Sequence, residues 1–272
     1  MSSNVSDVVR RALEEDLGPL GDITAALIDP GTRGRGALVA RGAGVLAGTA
    51  CADEAFRQVD PSVFVEWHVH DGDRVTAGHR LADVDGPLAS ILTAERTALN
   101  LLCHLSGVAS LTRAFVDAIA GTGVRILDTR KTTPGLRTLE KAAVRAGGGH
   151  NHRGSLSDMV LLKDNHIADL RIGDAVARAR DRWPGRGVEV ECDRLEQVQQ
   201  AVAAGVDVVM LDNMTPDDVA LCVKEVGEAA LVEVSGGVTL DTITDYAAAG
   251  PDLISVGALT HSAPILDIGL DL

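Results

Sequence analysis

Aromatic residues are almost absent from this 272-residue sequence and make up 2% of it. Three phenylalanines, two tryptophans and one tyrosine are too few to build an aromatic cage around a planar ligand. We therefore expect a ligand to be held by charge. The sequence also shows no apolar run that looks long enough for a membrane span, and residues 1–18 predict an amphipathic helix without the apolar core of a signal peptide. Together these absences favour a cytoplasmic protein that contacts no membrane.

Cysteine is scarce, and the charge is strongly of one sign. The four cysteines lie far apart without metal-binding spacing, which favours reduced core thiols over disulfides or zinc: Cys51, Cys103, Cys192 and Cys222. The formal net charge of −14 gives no general attraction to nucleic acid or to anionic membranes. An anionic ligand would therefore need a local cluster of basic residues.

Two patterns divide the chain. Residues 34–86 alternate like short strands around one helical stretch at 52–59, and residues 88–119 predict helices with a break at Ser106-Gly107. From Gly123 onward, short apolar runs alternate with helical patterns, which predicts a parallel sheet closed or nearly closed into a barrel. Six of these runs are clear strands: 124–127, 159–162, 188–190, 206–211, 231–234 and 253–256.

The fold class predicted from this alternation is α/β, with an incomplete α/β barrel of about seven strands. The seventh strand is expected near Ala142–Val144. The predicted domains are an N-terminal α/β domain at 1–106 and the barrel at 107–264, with the tail 265–272 returning to the first domain.

Polar residues or glycines follow each predicted barrel strand. Because all these strand ends open onto one rim of a βα barrel, the rim is the expected active site. The residues are Asp128–Lys131, Lys163–His166, Glu191, Asp212-Asn213, Ser235–Gly237 and Gly257.

Basic residues are concentrated in the first part of this barrel. Residues 125–166 contain eight Lys and Arg against four Asp and Glu, within a chain that is acidic overall. Arg130 and Arg153 suit carboxylates because the guanidinium group binds them in a bidentate manner, whereas Lys131 and Lys163 suit phosphate as compact charges. The site is therefore expected to take a ligand that carries both kinds of anion.

Two further groups complete the predicted site. Ser235-Gly236-Gly237 precedes a helix expected to start near Leu240, an arrangement typical of phosphate binding. Glu191 and Asp212 could accept hydrogen bonds from sugar hydroxyls, hold Mg²⁺, stabilise a developing cation, or neutralise the cationic loops.

Motifs over nearly the whole chain resemble those of the quinolinate phosphoribosyltransferase family. The most specific is Thr-Arg-Lys-Thr-Thr-Pro-Gly at 129–135. The motifs are Glu15–Gly18, Gly21–Thr24, Glu95–Asn100, Asp128–Arg137, Gly147–Arg153, Leu162–His166, Glu189–Glu191, Leu211–Asn213, Ser235–Gly237 and Gly257–Ser262. Pro19-Leu20 departs from the family pattern by lengthening a loop outside the barrel.

The resemblance implies an N-terminal α/β sandwich-like domain, an incomplete barrel, and a homodimer whose active site is completed by the partner subunit, with further assembly left open. It implies phosphoribosyl transfer from phosphoribosyl pyrophosphate (PRPP) to quinolinate with decarboxylation, with Mg²⁺ as cofactor. Arg130, His152, Arg153 and Lys163 would bind the quinolinate carboxylates, and Arg96 would reach in from the other subunit. The phosphates would be surrounded by Lys131, Ser235, Gly236, Gly237, Gly257 and His261. Thr129, Val256 and Ala258 are further expected substrate-binding residues. Lys131, Lys163, Glu191 and Asp212 are the expected catalytic residues, and the last two are the expected Mg²⁺ ligands.

Three other functions remain compatible with the sequence. The first is a related phosphoribosyltransferase without decarboxylation, including relatives from molybdate-transport operons. The second is a Schiff-base aldolase that uses Lys131 or Lys163 as the amine. The third is a sensor that binds a phosphorylated metabolite without turnover.

Overall fold

The computed structural model describes residues 2–167 and 170–272. Its helices are α1 (Ser2–Leu17), α2 (Thr49–Val59), α3 (Leu88–Ala118), α4 (Arg137–Ala146), α5 (Asp164–Ile167), α6 (Ile172–Arg182), α7 (Leu195–Ala203), α8 (Pro216–Val226), α9 (Ile243–Ala248) and α10 (Ala258–His261), with a 3₁₀ turn at Ala25–Leu27. Its strands are β1 (Arg33–Ala40), β2 (Gly44–Val45), β3 (Phe64–Trp67), β4 (Arg74–Val75), β5 (Arg80–Pro87), β6 (Arg125–Leu127), β7 (Val160–Leu162), β8 (Val188–Cys192), β9 (Val208–Asp212), β10 (Leu231–Ser235), β11 (Leu253–Ser255) and β12 (Ile268–Asp271).

The first compact unit is formed by Met1–Arg113, Thr132–Gly148 and Leu259–Leu272. It contains a four-stranded antiparallel sheet in the order β12-β1-β5-β3 and a two-stranded sheet of β2 and β4. The C-terminal strand β12 pairs with β1 from Ala37↔Asp271 to Ala40↔Ile268. The segment Thr132–Gly148, which contains α4, belongs to this unit. The sequence instead predicts a domain boundary at 106/107.

Helix α3 is continuous, so the predicted break at Ser106-Gly107 is wrong. Ser106 is buried, and its hydroxyl group accepts a hydrogen bond from the Ala47 N–H (3.0 Å) and donates one to the Ala47 carbonyl oxygen (3.1 Å). A Cβ atom on Gly107 would lie 2.1 Å from the Pro264 carbonyl oxygen. The two small residues therefore serve close packing inside a helix and do not end it.

The same helix overturns the expectation that no segment is long and apolar enough to cross a membrane. The helix of 31 residues contains an 18-residue window with a mean hydropathy of 1.2, which meets that test by length and composition. However, 61% of this window is buried inside the protein. Buried core helices pass the same test, because they are apolar on all sides.

The second unit, Ala114–Lys131 with Gly149–Ala258, contains a six-stranded parallel sheet in the order β6-β11-β10-β9-β8-β7. All six predicted barrel strands are confirmed to within one or two residues. The seventh strand is not at Ala142–Val144, because this segment lies inside α4. Instead, His150 makes an isolated parallel bridge to Leu127, next to the edge strand β6.

Side chains alternate between the two faces of each strand in this sheet. On β8, Val188, Val190 and Cys192 are buried on one face, while Glu189 and Glu191 point to the other. The outer face packs against the apolar side of helices such as α7, whose Val198 and Ala201 are buried. The inner face is left to carry polar groups toward the carboxyl ends of the strands.

Candidate active site

A cavity of about 420 Å³ opens at the carboxyl ends of the parallel strands, within the size range of small-molecule sites. Most of the predicted site residues line it: Thr129, Arg130, Lys131, His152, Arg153, Lys163, Glu191, Asp212, Ser235, Gly236 and Gly237. Leu161, Met210, Asn213, Glu233 and Ser255 line it as well. The four cations of the rim therefore face one space, together with two carboxylates and the glycine-rich loop.

Five predicted site residues do not line this cavity. Val256 is buried and donates its N–H to the Leu127 carbonyl oxygen (2.9 Å), which extends the pairing of β11 with β6. Gly257 and Ala258 follow it at the start of α10, where the exposed His261 has its Nδ1 atom 2.7 Å from the Ser262 hydroxyl. Arg96 is exposed on α3.

The cationic side of the cavity is built from the residues that follow β6 and the His150 bridge. Burial, and secondarily the nearby charge of Arg130, lower the pKa of Arg153, so the two guanidinium groups lie close enough to repel each other. The buried Asp128 carboxylate accepts hydrogen bonds from the His152 N–H (2.9 Å) and from the Asn151 side chain. An anion placed between the two arginines would relieve their repulsion.

The acidic side of the cavity comes from the neighbouring strands β8 and β9. The carboxylate of Glu191 forms an ion pair with the ammonium group of Lys163. Asp212 accepts a hydrogen bond from Asn213 Nδ2 (2.7 Å). Carboxylate oxygens are suitable Mg²⁺ ligands, and Mg²⁺ usually takes only one or two of them together with phosphate and water. The donor set therefore fits a magnesium ion that arrives with a phosphorylated substrate.

The glycine-rich loop after β10 packs against the end of β9. Gly236 has φ +94°, and a Cβ atom there would lie 2.2 Å from Asn213 Oδ1. Asn213 itself has a positive φ of 56° and donates its N–H to the Ser235 carbonyl oxygen (2.9 Å).

Helix α9 begins at Ile243, and the turn before it already has helical hydrogen bonds, because the Thr239 carbonyl oxygen accepts from the N–H groups of Thr242 (3.2 Å) and Ile243 (2.9 Å). The Thr239 N–H donates to Thr242 Oγ1 (3.0 Å), which caps this turn. The helix expected near Leu240 is therefore confirmed to within three residues, and the glycine-rich loop lies just before its first turn.

The sequence assigns no role to two buried glutamates, Glu189 of the Glu189–Glu191 motif and Glu233, which lines the cavity. His152 Nε2 lies 3.1 Å from Glu189 Oε2 and 3.4 Å from Glu233 Oε2, and both glutamate side chains are at most 1% exposed. In the sequence these glutamates lie within the runs 188–190 and 231–234, which predict buried strands. A charged residue inside a strand buried on both faces was the signal that could have found them.

Comparison with known proteins identifies the family of this chain. The model for the N-terminal domain of quinolinate phosphoribosyl transferase matches residues 22–106, and the model for its C-terminal domain matches residues 108–271. The chain belongs to the quinolinate phosphoribosyltransferase family. The resemblance seen in the sequence motifs is thereby confirmed.

Similar members of this family span nearly the whole chain. A nicotinate-nucleotide pyrophosphorylase (carboxylating) from Mycobacterium leprae is 46% identical over 275 residues, covering 98% of this chain and 96% of the relative. The structure of the Francisella tularensis nicotinate-nucleotide pyrophosphorylase matches with a TM-score of 0.96 and 39% identity, over 100% of this chain and 96% of the other. A human nicotinic acid phosphoribosyltransferase matches at 15% identity with a TM-score of 0.58, a likeness of fold alone.

Proposed function

We infer that this protein is a transferase that moves the phosphoribosyl group of PRPP onto the ring nitrogen of quinolinate. The products are nicotinate mononucleotide, carbon dioxide and pyrophosphate, a reaction of de novo NAD biosynthesis. One observation carries this inference within the family: a single rim cavity joins cations suited to carboxylates, lysines suited to phosphate, and two carboxylates suited to a sugar with its metal.

Quinolinate is assigned to the cationic side of the cavity. Arg130 and Arg153 bind its two carboxylates, because a guanidinium group donates two parallel hydrogen bonds to a carboxylate. Lys163 adds a third positive charge from the end of β7, and its ion pair with Glu191 holds its side chain in place. His152 belongs to this side as well, beside Arg153.

The phosphoribosyl group of PRPP is assigned to the opposite side. Lys131 and the turn of Ser235, Gly236 and Gly237 face its phosphates, with Thr129, Val256, Gly257, Ala258 and His261 as further predicted contacts. Glu191 and Asp212 face the ribose and are the proposed ligands of Mg²⁺. When bound, Mg²⁺ neutralises the negative charge of the leaving pyrophosphate.

The reaction follows from this placement of charges. The residues hold the pyridine nitrogen against the ribosyl carbon while the bond to pyrophosphate breaks, and the carboxylates of Glu191 and Asp212 stabilise the positive charge that develops on the sugar. The nitrogen then bonds to this carbon and becomes a pyridinium. Its positive charge accepts the electron pair released when the 2-carboxylate leaves as carbon dioxide, and a proton replaces the carboxylate. No residue needs to act as a nucleophile.

The rival functions are less well supported. A Schiff-base aldolase needs a neutral lysine amine, whereas the ammonium group of Lys163 is paired with a carboxylate. A phosphoribosyltransferase without decarboxylation would not need two arginines for two carboxylates.

One assay tests the proposed reaction directly. The protein is incubated with quinolinate, PRPP and Mg²⁺, and both nicotinate mononucleotide and released carbon dioxide are measured, with nicotinic acid as the matched control substrate. We expect product and carbon dioxide in equal amounts from quinolinate and little product from nicotinic acid. Turnover of nicotinic acid alone would favour the relative without decarboxylation, and binding without turnover would favour a sensor.

We also propose that the active protein is a homodimer in which Arg96 of each subunit reaches the quinolinate site of the other. Arg96 is exposed on α3 and does not line the cavity of its own chain, although its motif belongs to the family resemblance. An exposed arginine is well suited to a carboxylate presented by another subunit.

Mixed subunits test this arrangement. Arg96→Ala and Arg153→Ala homodimers should each be nearly inactive, whereas a mixture after subunit exchange should recover up to about a quarter of wild-type activity, because half of the subunits are in mixed dimers and each mixed dimer has one intact site. Absence of recovery after verified exchange would count against a shared site.

We place this activity in the cytoplasm. All four cysteines are buried and unpaired among the described residues, as expected in a reducing compartment.

A further inference from the structure

We propose that Glu189 and Glu233 are positioning residues for quinolinate binding, because they fix the side chain of His152 and through it the segment that carries Arg153. The inference rests on the proposed function and deepens it. Neither glutamate has to touch the substrate in this role.

Both ring nitrogens of His152 are engaged inside the protein. Nε2 faces Glu189 Oε2 at 3.1 Å and Glu233 Oε2 at 3.4 Å. On the other side of the ring, Nδ1 accepts a hydrogen bond from the Arg153 N–H at 2.7 Å. His152 therefore lines the cavity while its nitrogens hold the neighbouring protein groups, which suits an orienting role better than a direct grip on the substrate.

The hydrogen bond at Nδ1 also fixes where the ring carries its proton. A nitrogen that accepts a hydrogen bond bears no proton, so the ring proton is on Nε2 and is donated to the two carboxylates. A protonated Nε2 has no lone pair for a metal ion. Although the ligand atoms of these three residues lie within 4.8 Å of one another, the group is therefore a hydrogen-bonded trio and not a metal site.

The trio influences the position of Arg153 because His152 is its neighbour in the chain. His152 N–H is held by Asp128 Oδ1 (2.9 Å), its ring is held by the two glutamates, and its Nδ1 holds the N–H of Arg153. The last backbone pairing before this segment is the single bridge at His150. Beyond the bridge, buried carboxylates set the position of the backbone from which the Arg153 side chain projects.

Burying two glutamates side by side is costly for the fold. Within residues 2–167 and 170–272, Oε1 of Glu189 and Oε1 of Glu233 are buried without a hydrogen-bond partner. Well-packed apolar side chains at such positions are often as stable or more stable than buried charges. The nearby lining residues Leu161 and Met210 show that apolar side chains fit this cavity floor. Retaining two carboxylates here is therefore expected to serve function.

Steady-state kinetics of Glu233→Gln and Glu189→Gln test the proposal. Glutamine keeps the volume of the side chain but replaces the charged acceptor with a neutral amide, so the variants are expected to fold while the ring of His152 is held less firmly. We expect the KM for quinolinate to rise about tenfold or more, because a small displacement of a binding group has effects of this order or larger. The KM for PRPP should stay within about twofold, because both glutamates face His152, which lies on the quinolinate side of the cavity.

A matched control and a conservative variant separate positioning from general damage. Val234→Ala changes the residue next to Glu233 on the opposite face of β10, where it is 1% exposed, and should lower the melting temperature without changing the ratio of the two KM values. Glu233→Asp keeps the charge and should give a quinolinate KM between those of the wild type and Glu233→Gln. Equal changes in both KM values, or no change in folded glutamine variants, would overturn the proposal.

A spectroscopic measurement is independent of activity. In protein labelled with ¹⁵N-histidine, the His152 signals, assigned by their loss in His152→Asn, should show a proton on Nε2 and none on Nδ1. A proton on Nδ1, with or without one on Nε2, would overturn the trio even if the wild type turns over quinolinate. Conversely, a wild type that shows the expected tautomer but no quinolinate activity would reject the proposed function and not the geometry.

Discussion

Arg130→Ala is expected to lower kcat/KM for quinolinate by more than about a hundredfold. The substitution would leave a bound carboxylate without its partner, at a cost of roughly 3–5 kcal/mol. Each 1.4 kcal/mol corresponds to about a factor of ten. Arg153, the other arginine that lines the cavity, already binds the second carboxylate in the proposed arrangement, so it does not replace the missing group.

The measurement compares kcat/KM for both substrates in folded protein. The effect should be concentrated on quinolinate, and Arg194→Ala, at an arginine whose side chain is 61% exposed and pairs with Asp193, should leave both values unchanged. If Arg130→Ala lowers kcat/KM for quinolinate by less than about fivefold, Arg130 does not belong to the site.

Gly236→Ala is expected to lower kcat/KM for PRPP by about a hundredfold. An alanine at φ +94° is strained, and its Cβ would lie 2.2 Å from Asn213 Oδ1 and 3.0 Å from the Asn213 backbone nitrogen. Relieving this overlap must move the turn or Asn213, which donates a hydrogen bond to Asp212. Misplacing binding groups by about 1 Å can cost a hundredfold in rate.

Gly205→Ala provides the control for backbone strain alone. Gly205 has φ +72°, but a Cβ atom there would meet nothing within 4 Å. This variant should lose about 1–2 kcal/mol of stability and keep its kinetics for PRPP. Similar kinetic losses in Gly205→Ala and Gly236→Ala would show that strain, and not the contact with Asn213, is responsible.

The barrel and its rim could be predicted because the sequence expresses them locally. The predicted strands 188–190 and 206–211 have the length and flanking turns of buried strands, and polar residues follow where each strand ends. Parallel strands bring these ends to one side, so Arg130, Lys163 and Asp212 could be placed on one cavity from order alone.

Features that depend on contacts distant in sequence were not predictable in this way. The glycine of Ser106-Gly107 resembles a helix break until the approach of Pro264 is known, and this approach depends on residues more than 150 positions away. Ala142–Val144 is apolar enough for a strand, but it continues the helical pattern of α4. The role of Glu189 requires His152 and Glu233, which lie on other segments of the chain.

Strands usually both hold a barrel together and position the residues that follow them. At the isolated bridge of His150 these two roles fall to different groups. Six paired strands maintain the barrel, while the cationic segment after the bridge is held by side chains such as Asp128. Substitutions in this segment can therefore alter which ligand is accepted without breaking the ladder. The segment after His150, between the edge strands β6 and β7 in the chain, is therefore the place where new substrate preferences can evolve at the smallest risk to folding.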